Sequence, residues 1–429
     1  MLYTVASLVA AAILPRLERH FLAGYTHSMS VTSAVAFLSA AASGILAFTA
    51  IVFSIAFVLV QFSAIAYSPR LVLWFAGRPG VYHALGIFIA TFTYSMATLL
   101  WTDRGGDGSV PLFSTLLVLA LLSTSMIAFS RLVQGLSQMQ ITEVLSFIGD
   151  RGRAVIAGQA RLLATRNVHI SDGDVSIGEA ELDPVVQTLA HKGSPRSVTS
   201  IDLDRLLQLA RGSRAVIVMS ATVGDTLVEG DPILRVHGAA MPIPERELIQ
   251  AVHIGAQRTF EQDPKYPLRL LVDIAIKALS PAINDPTTAV QAIDQINDLL
   301  LRLGREELGN LRMSDQEGRL RVVVPMPTWD DYLALAFDEV RHYGADSIQV
   351  MRRLRAALVG LSQVDAKPMH RAAIEAYLRH LDRAIAQSEL DAQDRAAARQ
   401  PDAQGLGLSR KPPARRSASR KIKGAVDSR

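Results

Sequence analysis

No Lys, Arg, Asp or Glu occurs between Arg19 and Arg70. Within that interval residues 31–62 are apolar or small apart from Gln61. Wound as a helix at about 1.5 Å per residue, such a run exceeds a ~30 Å hydrocarbon core. A water-soluble fold rarely buries so long a stretch without a charge, whereas a bilayer accepts it as a helix with every backbone polar group paired internally.

Two more uncharged runs follow, and spans are predicted over 31–66, 81–101 and 110–131, with Trp74, Tyr82 and Trp101 near run ends where aromatic rings favour the interface. Residues 2–14 are also apolar but would reach only about 20 Å as a helix. They lack the basic start and small-residue cleavage site of a signal peptide. They are read as a truncated first helix, giving about four spans, the first short, within a transmembrane region 1–135. Arg70 and Arg78 in the 67–80 loop, with Arg131, Arg151, Arg153 and Arg161 after the last run, place the long C-terminal portion in the cytoplasm by the positive-inside bias. Asp103, Arg104 and Asp107 lie opposite, and Arg16 and Arg19 against Glu18 pull weakly the other way. A multi-pass protein of the inner membrane is expected, with the lipid bilayer as its first partner.

No formal charge falls inside a span, which argues against a voltage sensor or proton relay. The second span instead carries small residues four apart: Ser39, Ser43 and Ala47 on one line, Ala36, Ala40 and Gly44 beside it. Such lines let helix backbones approach closely. They read either as packing within the chain or as the seam of a homo-oligomer, whose hydroxyl-lined pore Thr49, Ser54 and Gln61 would continue.

Behind the membrane region a mixed α+β domain is predicted. Residues 136–200 read as a connecting helix and loops, with a turn at Ser171-Asp172-Gly173-Asp174. Residues 201–240 read as a small β-module: a short helix capped by Asp202 or Asp204, a strand at Val216-Ile217-Val218, and glycine turns at Gly224 and Gly230. Its "VGDTLVEGDPIL" run resembles the loop of biotinyl and lipoyl carriers, but no lysine falls in the segment and a carrier role is excluded. Residues 241–390 read as mainly helical. Leu248, Ile249, Val252, Ala256 and Phe260 predict a helix over 245–261, and a second follows over 268–279. Pro281 then breaks the pattern, and Asp285 and Pro286 stand at the N-cap and first position of the next helix. A strand over 319–324 and helices over 328–343, 346–361 and 370–388 complete the helical part. Residues 391–429 read as a disordered basic tail.

The net charge of +4 is a property of that tail. Arg410, Lys411, Arg415, Arg416, Arg420, Lys421, Lys423 and Arg429 face Asp427 alone, so the rest of the chain is net negative. This suits contact with anionic lipid and excludes a basic nucleic-acid-binding fold. Zero cysteines exclude disulfides, thiolate nucleophiles and cysteine metal sites. The ten histidines are scattered and no HExxH, Walker or GxSxG motif occurs, so neither enzyme chemistry nor a cofactor or metal is expected.

The stretch "IGAQRTFEQDPKYPLRLLVDIAIKALSPAINDPTTAVQAIDQI", residues 254–296, resembles the signature region of an uncharacterised bacterial membrane-protein family known as domain of unknown function 2254. "VFSIAFVLVQFSAIAYSPR" and "DEVRHYGADSIQVMRRL" agree in the same order, and the likeness covers roughly residues 2–381. It implies an N-terminal bundle of about four spans and a cytoplasmic domain, with no established activity. The motif residues it carries over are Arg258, Thr259, Gln262, Asp263, Arg269, Asp273, Ser280, Pro281, Asn284, Asp285, Pro286 and Thr287. They are expected to form one polar cluster on adjoining helices, with Arg269 or Arg258 holding Asp273 or Asp263 in a forked pair. That cluster is either a structural network or a ligand site. Two functions follow. One is an oligomeric channel-like or transport-related protein gated by its cytoplasmic domain. The other is a non-transporting scaffold or sensor that binds a partner or ligand through residues 254–296.

Overall fold

The computed structural model describes residues 2–21, 30–66, 79–104, 112–137, 141–164, 168–171, 182–239, 241–364 and 367–407. The arginines at 70 and 78, the turn at 172–174, Asp107 and the basic residues from Arg410 onward lie outside them.

Four helices precede the large domain: α1 (Leu2–Phe21), α2 (Val31–Ala66), α3 (Pro79–Arg104) and α4 (Leu112–Ser137). Among the described residues three are long and apolar enough to cross a membrane, over Val31–Ile55, Tyr82–Leu100 and Leu112–Gln134. The expected count of about four is therefore corrected to three. α1 falls short because Pro15, Arg16, Glu18 and Arg19 occupy its second half. It packs against α3 instead, and a Cβ on Gly86 would meet the Tyr3 ring at 2.5 Å. Glu18, beyond the 2–14 stretch read as a first helix, is buried on α1. Its carboxylate accepts the Phe113 and Ser114 N–H groups at 2.8 and 3.3 Å, so α1 caps the first turn of α4. Ala11, Leu38, Ala41, Tyr94 and Val118 form one core of the bundle, and Ile45, Val52, Ala84, Phe88 and Leu132 another. Leu46, Ile51, Phe53, Phe57, Leu119 and Ile127 point outward, as a surface solvated by lipid requires.

A stalk helix, α5 (Ile141–Ala164), leads into the large domain, which has two cores. The first is all-helical and joins α5 to α8 (Lys265–Ala278), α9 (Pro286–Leu303), α10 (Trp329–Tyr343), α11 (Ile348–Val364) and α12 (Pro368–Gln387). Two glycines set how closely the stalk docks: a Cβ on Gly149 would lie 2.1 Å from the Gln295 amide oxygen, and one on Gly152 2.7 Å from Leu299. Beside them Arg153 pairs with Asp298 on α9 at 2.8 Å and with Asp150 at 2.8 Å.

The second core lies against two sheets. Strands β1 (Val168–Ser171), β2 (Val185–Ala190), β4 (Val216–Met219), β6 (Pro232–His237), β8 (Asn310–Ser314) and β9 (Leu320–Val324) make a six-stranded sheet in the order β1-β8-β9-β4-β6-β2. All its pairings are antiparallel except β4 with β9, where Ile217 faces Val322. A three-stranded sheet, β5 (Thr226–Leu227), β3 (Arg196–Ile201) and β7 (Val252–Gly255), lies alongside, with α6 (Leu203–Gly212) and α7 (Glu245–Gln250) packed near.

Four sequence expectations are corrected here. Residues 201–240 are not a separate β-module, because β4 and β6, besides pairing with each other, continue into one six-stranded sheet through β9 on one side and β2 on the other. Residues 136–200 hold β1, β2 and most of β3 as well as a helix and loops. The helix expected over 245–261 stops at Gln250, since Val252 and Ile254 pair with Ile201 and Val198 of β3. Residues 391–407 are built rather than disordered. Asp391 caps α13 (Ala392–Ala398), Ala398 is fully buried, and Asp402 gathers the N–H groups of Gln404, Gly405 and Gly407 at 2.9, 3.1 and 2.6 Å. Arg352 and Arg353 on α11 donate to carbonyls of this strap, so its backbone is satisfied by α11.

Candidate functional site

The motif residues divide in space. Ser280, Asn284, Asp285 and Thr287 belong to the tight connection between α8 and α9. Its turn closes through the Ile283 and Asn284 N–H groups on the Ser280 carbonyl, and Asn284 takes a left-handed backbone at φ 49°. Pro281 lies in the bend and Pro286 opens α9. Asp285 caps α9 with both oxygens: the Thr288 N–H donates at 3.1 Å and the Thr288 hydroxyl at 2.6 Å. The hydroxyl held is therefore that of Thr288, while Thr287 and Asn284 are exposed. Ser280 donates to the Lys277 carbonyl at 2.7 Å. Ser280 and Asp285 each complete a helix end.

Arg269 has a second, separate setting. Its guanidinium contacts Asp273 at 2.6 Å one turn along α8 and Glu339 of α10 at 2.7 Å, which pins those two helices together. Among the pairings expected for it, the one with Asp273 forms.

Gln262 and Asp263 are elsewhere again, on the connection from β7 into α8. Gln262 clamps the end of β3 from both sides: the Ile201 N–H donates to its Oε1 at 3.0 Å, and its Nε2 donates to the Ile201 carbonyl at 3.4 Å. Arg258 and Thr259 lie half-buried earlier on the same connection. Asp263 is 1% exposed. Its Oδ1 accepts the Lys265 N–H at 3.0 Å, and its Oδ2 has no hydrogen-bond partner among the described residues. Burial pushes this carboxyl above the ordinary aspartate range, with the charges of Lys265 and Arg258 working the other way. Its neighbour is the turn between β4 and β5. Gly224 there has φ 91°, and a Cβ on it would fall 2.3 Å from Oδ2. Only glycine both adopts that backbone and leaves room for the carboxylate.

Beside Asp263 opens a cavity of about 290 Å³. The stalk supplies one wall through Gly158, Gln159, Leu162 and Leu163. The sheets supply Ile201, Val223, Leu311 and Val324, and Met326 and Pro327 lead on to α10. Most of its polar groups, Glu261, Gln262, Asp263 and Lys265, follow one another along the chain, and Gln159 of the stalk and Thr222 complete the polar lining. Lys265 reaches back to Asp225 at 3.7 Å. A mostly apolar hollow with a few converging polar groups is the usual form of a small-molecule site. Lys265 and the stalk wall escape a reading of the sequence, which marks Gly224 only as a turn residue. The signal available there was the recurrence of Gly149, Gly152 and Gly158 within one helix, which marks close approach or empty space.

The pore candidates do not converge within one chain. Ser43, Gly44, Ser54 and Gln61 are exposed on α2, and Ser39 and Thr49 are half-buried. The Thr49 hydroxyl donates to the Ile45 carbonyl of its own helix at 2.6 Å. Among the described residues no cluster of three or more His, Asp or Glu side chains could hold a metal ion.

Comparison with known proteins agrees that this is a membrane protein and adds no activity. Uncharacterized protein Mb1321c of Mycobacterium bovis and Uncharacterized protein Rv1290c of Mycobacterium tuberculosis are each 28% identical to this chain over 353 residues, covering 81% of it and 67% of their own length. No solved structure matches. The family described as predicted membrane protein (DUF2254) matches residues 1–359, and the chain belongs to that family.

Proposed function

We propose that this membrane protein is a ligand-responsive sensor, and that the cavity beside Asp263 is where its ligand binds. One observation carries the reading: the cavity wall is the last part of α5, the helix that begins four residues after α4 ends and links the membrane bundle to the large domain. A ligand that fills the hollow changes what Leu162 and Leu163 pack against, so occupancy and stalk position are energetically linked. Arg153, with Gly149 and Gly152, fixes the membrane-proximal part of the same helix to α9. The basic residues behind the last span favour a cytoplasmic position for the large domain at the inner membrane.

Native mass spectrometry of protein extracted from its own membranes tests this reading. A small-molecule adduct is expected on the wild type and is expected to vanish in Gly158→Phe. Gly158 lines the cavity and an added Cβ there meets nothing within 4 Å, so Phe is accommodated at its base and its ring is expected to occupy the hollow. An adduct pattern identical in both proteins refutes the proposal.

A second reading, a channel-like homo-oligomer, draws on the outward-facing Ser43, Gly44, Ser54 and Gln61 of α2. Those groups line a pore only if several copies assemble around them. Solute flux through purified protein in liposomes, reduced by Ser43→Leu, supports this reading, and the absence of flux under every gradient removes it.

A further inference from the structure

We propose that the ligand of this cavity is a compact amphipathic cation, with an ammonium-type head on Asp263 and a hydrocarbon body among Leu162, Leu203, Val324 and Met326. The inference rests on the sensor reading of the cavity and adds the chemistry of its occupant.

The head group follows from what the fold leaves undone. Asp263 is 1% exposed, and its carboxyl is held by backbone N–H groups alone, that of Lys265 donating to Oδ1 at 3.0 Å and that of Tyr266 beside it. Its Oδ2 has no partner among the described residues. A buried carboxylate with one bare oxygen is costly, and a donor carrying positive charge offsets that cost best. Lys265, the cation on the same wall, lies 3.7 Å from Asp225, so its charge is shared with a second acid. Glu261 adds another negative charge to the lining. Arg258 is the second cation whose charge reaches Asp263, and the acids Asp263, Glu261 and Asp225 still outnumber Lys265 and Arg258, a balance that disfavours a carboxylate or phosphate and favours a cation.

The body follows from the opposite wall. Leu162, Leu163, Leu203, Val324 and Met326 offer hydrocarbon and no hydrogen-bonding side chain. A volume of about 290 Å³ suits a compact skeleton rather than a long acyl chain. A hydrophilic polyamine would leave this wall unpaired, and a lipid tail would overfill it.

Calorimetry on the full-length protein in nanodiscs, with empty nanodiscs subtracted, tests this using three probes of one shape: 1-adamantylamine, 1-adamantanol and adamantane-1-carboxylate. The amine is expected to bind about tenfold tighter than the alcohol, and the carboxylate most weakly. Asp263→Asn keeps an acceptor for the Lys265 N–H and is expected to bring the amine and the alcohol to near equality. Should that variant fail to fold, Glu261→Gln, at an exposed position of the same wall, is expected to narrow the gap in the same direction. Gly158→Phe is expected to abolish binding of all three probes. If the alcohol or carboxylate binds as tightly as the amine and Gly158→Phe still blocks it, the cationic head is refuted and the sensor reading survives. If no probe binds, or Gly158→Phe leaves binding unchanged, both fall.

Discussion

Residues 261–265 and 280–288 are similarly polar stretches of the same signature segment, and the fold treats them in opposite ways. In the second, Asp285 uses both oxygens on Thr288, and Ser280 closes the turn before it. In the first, Gln262 is fully engaged on Ile201, yet Asp263 beside it is buried with Oδ2 bare and a cavity at its side. The difference separates groups that hold the fold from a group that the fold has to carry. A polar network that closes on itself explains its own presence, whereas a buried carboxylate left half-satisfied points outside the chain for its partner.

The largest effect that sharpens this contrast is expected at Gly224. Gly224→Ala places a Cβ on a backbone at φ 91° and against Asp263 Oδ2, and is expected to cost about 2 kcal/mol in thermal unfolding. Part of that loss should return in the double variant with Asp263→Ala, since the two residues share one space. Additive losses in that cycle would show that the contact does not govern the site.

Asp285→Ala follows, with an expected loss of about 1 kcal/mol because the α9 N-cap disappears. Chemical unfolding of the detergent-solubilised protein measures it, and an unchanged midpoint would make the Asp285 turn as dispensable as its exposed neighbours.

The third effect is a matter of sign with pH. The Asp263 carboxyl is raised in the fold, so its ionisation penalises the native state. The penalty is absent below the ordinary aspartate range and fully present above the raised value. Asp263→Asn should therefore gain stability near neutral pH, and the gain should shrink as pH falls. Asp298 behaves in reverse: burial pushes its carboxyl up, but the hydrogen bonds from Arg153 and Arg302 outweigh that and hold it low. The stability it adds is present at neutral pH and lost on acidification through its lowered range, so Asp298→Asn should lose stability near neutral pH. Unfolding midpoints of both variants from neutral to acidic pH check the pair of signs, and parallel curves would break the comparison.

Thr287→Ala should change least, within about 0.5 kcal/mol, since the residue is exposed and Thr288 occupies the cap. A larger loss would give Thr287 a partner outside the chain.

Local chemistry made part of this architecture readable in advance. The Asp285-Pro286 helix start could be read because a capping carboxylate and a proline at the first position act within one turn. The Arg269–Asp273 pair could be read because four residues is one helical turn. The end of α7 could not, because Val252 and Ile254 fit a helical stripe and a strand equally well and β3 decided between them. The strap over 391–407 was hidden for a similar reason: with almost no large apolar residue it has too little to bury on its own, until Arg352 and Arg353 supply partners for its carbonyls. Within the candidate site, Gln262 and Asp263 stood out as motif residues. Their separation from Ser280 and Asp285, and the stalk wall opposite them, did not.

The long charge-free runs ahead of Arg131 determined the membrane helices by themselves, because solvation in lipid depends on composition along the segment and needs no partner. Only the tertiary structure decided that α1 caps α4, that two distant strand sets share one sheet, and that Asp263 meets a cavity walled by the stalk. Those outcomes depend on which surfaces face one another across long stretches of chain, 95 residues for Glu18 and Phe113, and side-chain spacing along the chain carries no record of that.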